Sequence, residues 1–271
     1  MSAIDFDLLE KQYFYFDKPV PYKLDEDKII YIKPINVEDS EIFLSSSFVI
    51  TIDKDSIPDP KIIQMSYLQF IIESLFQANE ASVQALVNIC KICLGIEHLG
   101  LVKNKVGRIC LIDQITGDII NPKQFDDIRK IILKQNFVDY DDEYIHPDLK
   151  KALDETKRLK NKNLDMPNIE RKMAIITAHC GLSKQEQLKM TYRSHSLLFI
   201  EICGEVEYTT VMPIALLGNK SSEIEHWIFK KKKGKFEEGV ISVSDYSKSI
   251  GGDGNTNIHQ NSIPEGINKY L

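Results

Sequence analysis

The sequence predicts a predominantly α-helical α+β fold with a small β-hairpin or sheet and a polar C-terminal tail. Three observations carry that expectation. Apolar residues recur at helical spacing in several long stretches between residues 60 and 203. The strand-like runs are few, short and bounded by Pro, Gly or Asp. Beyond Gly218 the apolar pattern gives way to Lys, Ser, Gly and Asn. The organisation expected is an aromatic N-terminal arm (1–20), an α+β core domain (21–163), a helical subdomain (164–217) and a polar tail (218–271).

The first residues mix Phe6, Tyr13, Phe14, Tyr15 and Phe16 with charge, which suits an arm lying on a hydrophobic surface of its own domain or of another subunit. Lys28-Ile-Ile-Tyr-Ile-Lys33 reads as a short strand stopped by Pro34. Asn36 or Asp39 can cap a helix carrying Ile42, Phe43 and Leu44. Phe48-Val-Ile-Thr-Ile52 reads as extended, closed by the turn-rich Asp53 to Pro60. Pro60 suits the first turn of a helix, and Ile63, Tyr67, Leu68, Ile71 and Leu75 continue it to about residue 77.

The next helix, about Glu80 to Ile96, is apolar nearly all round. Val83, Leu86, Val87, Cys90 and Leu94 share one face, and Ala85, Ile89 and Ile92 another, so it belongs in the core. Val106 to Ile112, a turn at Asp113 to Asp118, and Ile119-Ile120 predict a hairpin. Pro122 then starts a helix carrying Phe125, Ile128, Ile131 and Ile132. Pro147 to Asn163 is a charged, solvated helix in pattern, broken at Leu164 to Asn168. A helix over about Ile169 to His179 precedes two short capped helices, with Glu205 to Leu217 extended or mixed.

Composition narrows the function. With 43% hydrophobic and 27% charged residues the chain suits a soluble globular protein. No apolar run approaches the ~20 residues of a membrane span, and the N-terminus has no secretory signal pattern, so a cytoplasmic protein without a membrane partner is expected. Five cysteines point to reduced thiols. A net charge of −6 is a poor start for neutralising phosphates. Protein partners are favoured over nucleic acid.

Candidate chemistry is sparse. Cys90 and Cys93 have the spacing of a zinc or redox pair, but they sit on an apolar helix without a second such pair, and packed core cysteines are the simpler reading. The six histidines are scattered. Asp53, Asp55 and Asp59, and separately Asp139, Asp141, Asp142 and Glu143, are carboxylate clusters that read as solvated turns. Gly251-Gly-Asp-Gly254 has neither the preceding strand nor the following helix of a phosphate loop. No catalytic residue, cofactor or metal is assigned. The basic run Lys230, Lys231, Lys232 and Lys233 and the aromatic Phe14, Tyr15 and Phe16 are the candidate partner contacts.

The stretch from Gly181 to Gly204 has a helix-turn-helix outline: Ser183 with Glu186 forms a capping box, and Thr191 caps the second helix. A nucleic-acid-binding regulator is therefore the alternative, with Lys184, Lys189 and Arg193 as its contacts. Against it, Leu197 to Cys203 makes the second helix apolar where a base-reading face should be polar.

Ile30-Tyr-Ile-Lys-Pro-Ile-Asn-Val-Glu-Asp39, Ile52-Asp-Lys-Asp55 and Ile63-Gln-Met-Ser-Tyr-Leu-Gln-Phe70 together resemble a pattern in tail proteins of contractile-tailed bacteriophages. The predicted hairpin, Phe125 to Asn136, Gly181-Leu-Ser183 and Met190-Thr191 fit the same pattern. The resemblance implies a structural or assembly component of the tail and baseplate that works by protein contact without catalysis. Roles in that group range from baseplate hub subunits to chaperones of the tape-measure protein. The partners implied are other tail or baseplate proteins, or further copies of the chain. The locations implied are the host cytoplasm during assembly and the virion tail.

Overall fold

The computed structural model describes residues 4–138, 140, 167–218, 224 and 226–229, with six positions between 152 and 159. The chain divides into one unit of residues 1–143 and 167–228 and another of 144–166 and 229–271. The predominantly helical α+β class is observed, and every element named below belongs to the first unit. Of the second unit, the six described positions between 152 and 159 are helical, within the span of the expected charged helix. The rest of that helix, Asp139, Asp141, Asp142, Glu143, Lys230 to Lys233 and nearly all of the expected polar tail lie outside the described residues.

The expected arm is folded onto the chain's own core. Asp5 caps α1 (Phe6–Gln12) by accepting the Leu8 N–H at 3.0 Å. Phe14 then enters the core in a 3-10 turn (Phe14–Phe16). The chain leaves that turn through Asp17, whose φ of 54° is a left-handed conformation that Asp tolerates. It continues into β1 (Val20–Asp25), which pairs antiparallel with β2 (Lys28–Ile32). β1 alternates cleanly, with Val20, Tyr22 and Leu24 inward.

Of Phe48 to Ile52, expected as a strand, Phe48–Thr51 is helical. α2 (Ser40–Ser46) runs through Ser47 into α3 (Phe48–Thr51), and both Ile50 and Thr51 donate to the Ser47 carbonyl at 3.0 Å. The neighbours Val49 and Ile50 are both buried, which a strand with one solvated face cannot do. Strand preference here yields to packing. The single helix expected from Pro60 to residue 77 is interrupted. α4 (Pro60–Gln64) stops at Met65, because Ser66 leaves the helical path to cap α5 (Tyr67–Phe70) through the Gln69 N–H. A π-helical turn at Ile71–Leu75 follows, then α6 (Phe76–Ala78).

α7 (Ala81–Leu94) is central as expected, but its buried side is Ala85, Leu86, Ile89, Cys90 and Cys93, while Val83 is exposed. It ends in an αL cap, with Gly95 at φ 73° and its N–H donating to the Lys91 carbonyl at 3.0 Å. The predicted hairpin gains a strand. β3 (Leu99–Lys103) pairs with β4 (Ile109–Asp113), which pairs with β5 (Ile119–Ile120). Val106, expected to begin a strand, sits exposed in the β3–β4 turn beside Gly107 at φ 80°.

α8 (Pro122–Asn136) is the organising element. Asn121 and Gln124 form a capping box at its start. Phe125, Ile128, Ile131, Ile132 and Leu133 line the core. Its buried amides hold irregular backbone: Gln124 donates to the Leu24 carbonyl at 2.6 Å and Gln135 to the Lys18 carbonyl at 3.1 Å. The Asn136 side-chain oxygen accepts the Ile35 N–H at 2.9 Å. Arg129 donates to the Ile50 carbonyl at 2.6 Å and lies 3.7 Å from the Tyr67 ring centre.

The last three helices are α9 (Ile169–Cys180), α10 (Lys184–Lys189) and α11 (Tyr192–Leu217). Glu205 to Leu217, expected as extended or mixed, completes α11 despite Pro213 inside it. Pro213 has no N–H to donate to the Thr209 carbonyl, and one turn earlier the Thr209 hydroxyl donates to the Glu205 carbonyl at 2.8 Å.

Asn136→Ala strands a buried Ile35 N–H, so unfolding in urea should show a loss of about 1–3 kcal/mol with an unchanged denaturant slope.

Candidate interaction surface

The helix-turn-helix outline survives in the structure, but its polar end faces inward. Ser183 and Glu186 form the expected capping box, and Thr191 accepts the Ser194 N–H at 3.2 Å. The junction between α10 and α11 is stitched to the segment after β2. The Val37 N–H donates to the Met190 carbonyl at 2.9 Å, the Tyr192 N–H donates to the Ile35 carbonyl at 2.8 Å, and Asn36 bridges Thr191. Thr191 and Ser194 both donate to the Asp17 carboxylate.

Arg193, expected among the nucleic-acid contacts, is buried. Its guanidinium donates to Glu10 at 2.9 Å and to the Lys134 carbonyl at 3.0 Å, and lies 6.0 Å from the Phe14 ring centre. His195, two residues on, is fully buried. Gln187 donates to the Met173 and Leu182 carbonyls and to Thr177, which orients its oxygen toward His195 Nε2 at 3.2 Å. An amide oxygen only accepts, so Nε2 carries the hydrogen and Nδ1 is bare, without a partner among the described residues. Burial first, and the charge of Lys172 second, hold the imidazole below its usual pKa. Lys184 and Lys189 remain exposed on α10.

The outer face of α11 has the opposite character. From Ile200 onward, positions 200, 203, 207, 210, 214 and 217 fall on one stripe at alternating three- and four-residue steps, occupied by Ile, Cys, Glu, Thr, Ile and Leu. Ile200 is 40%, Ile214 68% and Leu217 92% exposed, with Val206 and Val211 flanking. Ile202 and Ala215 are buried on its flanks and Trp227 lies against Gly204, while Leu216 on the far side is 59% exposed. At its N-terminal end the stripe runs into an apolar recess of about 470 Å³, bounded by Thr51, Phe137, Tyr140, Tyr192, Ser196 and Ile200.

The remaining candidates are structural. Phe14 is 4% exposed and belongs to the chain's own core, so it is no partner contact, whereas Tyr15 and Phe16 are more than 60% exposed. Burial pushes the Cys90 thiol up to about 12 and raises Cys93 further, so both are protonated and inert. Asp53 and Asp59 accept the N–H groups of Asp55 and Lys61, and Asp55 pairs with Lys54 at 2.8 Å. Those carboxylates are occupied as caps and an ion pair. A polar cleft of about 550 Å³ opens between α4–α5 and the β3–β4 turn, lined by Ser66, Gln69, Glu73, Lys103 and Arg108. None of these side chains is buried, so nothing rigid there fixes a ligand.

The exposed stripe escapes the sequence reading because Pro213 and the run Thr209-Thr210-Val211 argue for ending the helix early. The signal was nonetheless present in the three-four spacing from Ile200 to Leu217. Comparison with protein-family models, curated proteins and solved structures finds no match.

Two measurements check this geometry. Between the lowered folded pKa of His195 and its unfolded value near 6.5, only the unfolded chain binds the proton. Stability should therefore fall as the pH drops below about 6.5, and His195→Gln should flatten that part of the profile. A thiol reagent should modify Cys180 and Cys203 in the native protein, and Cys90, Cys93 and Cys110 only on unfolding.

Proposed function

We propose that this chain is a non-catalytic structural or assembly component of a contractile phage tail or baseplate, acting through protein contacts. The observation that supports this reading best is the uncovered apolar stripe of α11 leading into an apolar recess. Exposed apolar side chains at both ends of one helix face, Ile200 beside the recess and Ile214 and Leu217 at the far end, mark an interaction site. The resemblance of residues 30–39, 52–55 and 63–70 to tail proteins supplies the biological setting. In that setting the protein works in the host cytoplasm during assembly, alongside other tail or baseplate proteins, and as a subunit it persists in the virion tail. No helix among the described residues is long and apolar enough to cross a membrane, which agrees with partners met in solution.

The helix-turn-helix alternative loses support from the burial of Arg193. In such readers the N-terminal residues of the second helix contact base edges. Here that end of α11 is occupied by bonds to Glu10, Asp17 and the Ile35–Val37 backbone.

Co-purification of the tagged full-length chain from infected cells tests the proposal. Recovery in purified particles indicates a subunit, and recovery only with tail proteins before assembly indicates a chaperone. Absence from both sinks the idea. In parallel, duplex DNA at low salt should not bind. Arg193→Ala should lower the unfolding midpoint instead, by an amount consistent with about 1–3 kcal/mol for removing a buried charged donor from the Lys134 carbonyl and the partly exposed Glu10.

A further inference from the structure

We infer that the outer face of α11 is a groove for one amphipathic helix of another protein, carrying a large apolar anchor and, seven residues from it, a Lys or Arg. This inference rests on the protein-contact reading above and specifies its partner.

The length comes first. From Ile200 to Leu217 the stripe runs about 26 Å at 1.5 Å per residue, enough to seat a partner helix of about five turns. Its steps alternate three and four as in a helix seam, with Ile200, Cys203, Ile214 and Leu217 apolar and Glu207 and Thr210 polar between them. The recess beside Ile200 provides what a seam alone lacks, a concave site large enough for an aromatic or long aliphatic side chain. A helix that lays an apolar face along a groove and buries one large anchor is a recurrent recognition mode.

Charge selects the occupant. Between Ser194 and Gly218 there is no Lys or Arg, and the acidic residues are Glu201, Glu205 and Glu207. Glu205 faces His179 at 3.3 Å, and Glu201 lies on the opposite side of the helix from the stripe. Glu207 alone falls within the stripe, with Ile200 and Cys203 before it and Val211 and Ile214 after it. Among the described residues it has no ion-pair partner. Covering a carboxylate without supplying a cation leaves an uncompensated charge. A second copy of α11 cannot supply one: it would set Glu207 against another Glu207 or against apolar side chains. An anionic membrane surface meets the same repulsion. A partner helix with a cation opposite Glu207 fits, and seven residues separate Ile200 from Glu207. Two helical turns on the partner therefore separate its anchor from its Lys or Arg, whichever way it runs.

The probe is a fluorescein-labelled helical peptide with a leucine stripe, a Trp anchor and a Lys seven residues from it, titrated onto the full-length protein. Saturable binding is expected, and Ile214→Glu and Glu207→Lys should each weaken it at least tenfold. Both positions are exposed, and an unchanged circular dichroism spectrum and thermal transition verify folding. Binding by Glu207→Lys should return when the peptide Lys is replaced by Glu, a rescue that mere loss of apolar area would not give. Three results would overturn the inference: no saturable binding, binding indifferent to both substitutions, or a concentration-dependent dimer in sedimentation that Ile214→Glu dissolves. If Ile214→Glu still co-purifies with tail proteins, the groove is wrong while the tail proposal stands.

Discussion

The three residues Ile35, Asn36 and Val37 hold this structure together through their backbone. They follow β2 in an extended path that belongs to no sheet, so each buried polar group needs its own partner. The Ile35 N–H takes the side chain of Asn136 at the end of α8, and its carbonyl takes the N–H of Tyr192 at the start of α11. Val37 reaches the Met190 carbonyl. One short segment thereby joins the β1–β2 ribbon, the central helix and the α10–α11 junction. Buried backbone that is fully paired in this way tolerates little displacement, because each broken bond leaves a desolvated group.

A second consequence is that specificity in this core resides in amides as much as in hydrocarbons. Gln124, Gln135 and Asn136 each hold backbone from the first third of the chain, and Gln187 ties α9 to α10 and α11. Apolar packing would permit several neighbouring registers of these helices. A buried amide with directed donors and acceptors permits one, since any slip leaves it unsatisfied. The neutral His195 belongs to the same arrangement.

Much of this was legible in the sequence, and the failures have definite causes. α8 is announced by Asn121, Pro122 and Gln124 together with the spacing of Phe125, Ile128 and Ile132. The capping box at Ser183 and Glu186 is a local signal and is found as read. Phe48 to Ile52 misled because a short β-branched run carries no periodicity, and α7 and α8 decide its conformation from outside. β1 was missed because Pro21 interrupts an otherwise regular alternation, although Pro is tolerated on an edge strand. Lys184, Lys189 and Arg193 look equivalent in one dimension. Only the fold brings Glu10 to Arg193, and no local pattern encodes a partner so distant in sequence. The α11 stripe was hidden by residues of low helix preference that the packing of Ile202 and Ala215 overrides.

The Glu10–Arg193 pair also sets the order in which the molecule can be completed. It closes a loop of 183 residues, and the Asp17 bonds to Thr191 and Ser194 close loops nearly as long. During synthesis α1 leaves the ribosome well before the groups that anchor it, which lie more than 170 residues later. Until then Phe14 lacks the guanidinium above it, and the Asp17 carboxylate must stay in water. α1 is thus made long before it is locked, a topology that favours slow, late closure. The surface that receives α1 stays open to other chains throughout that interval.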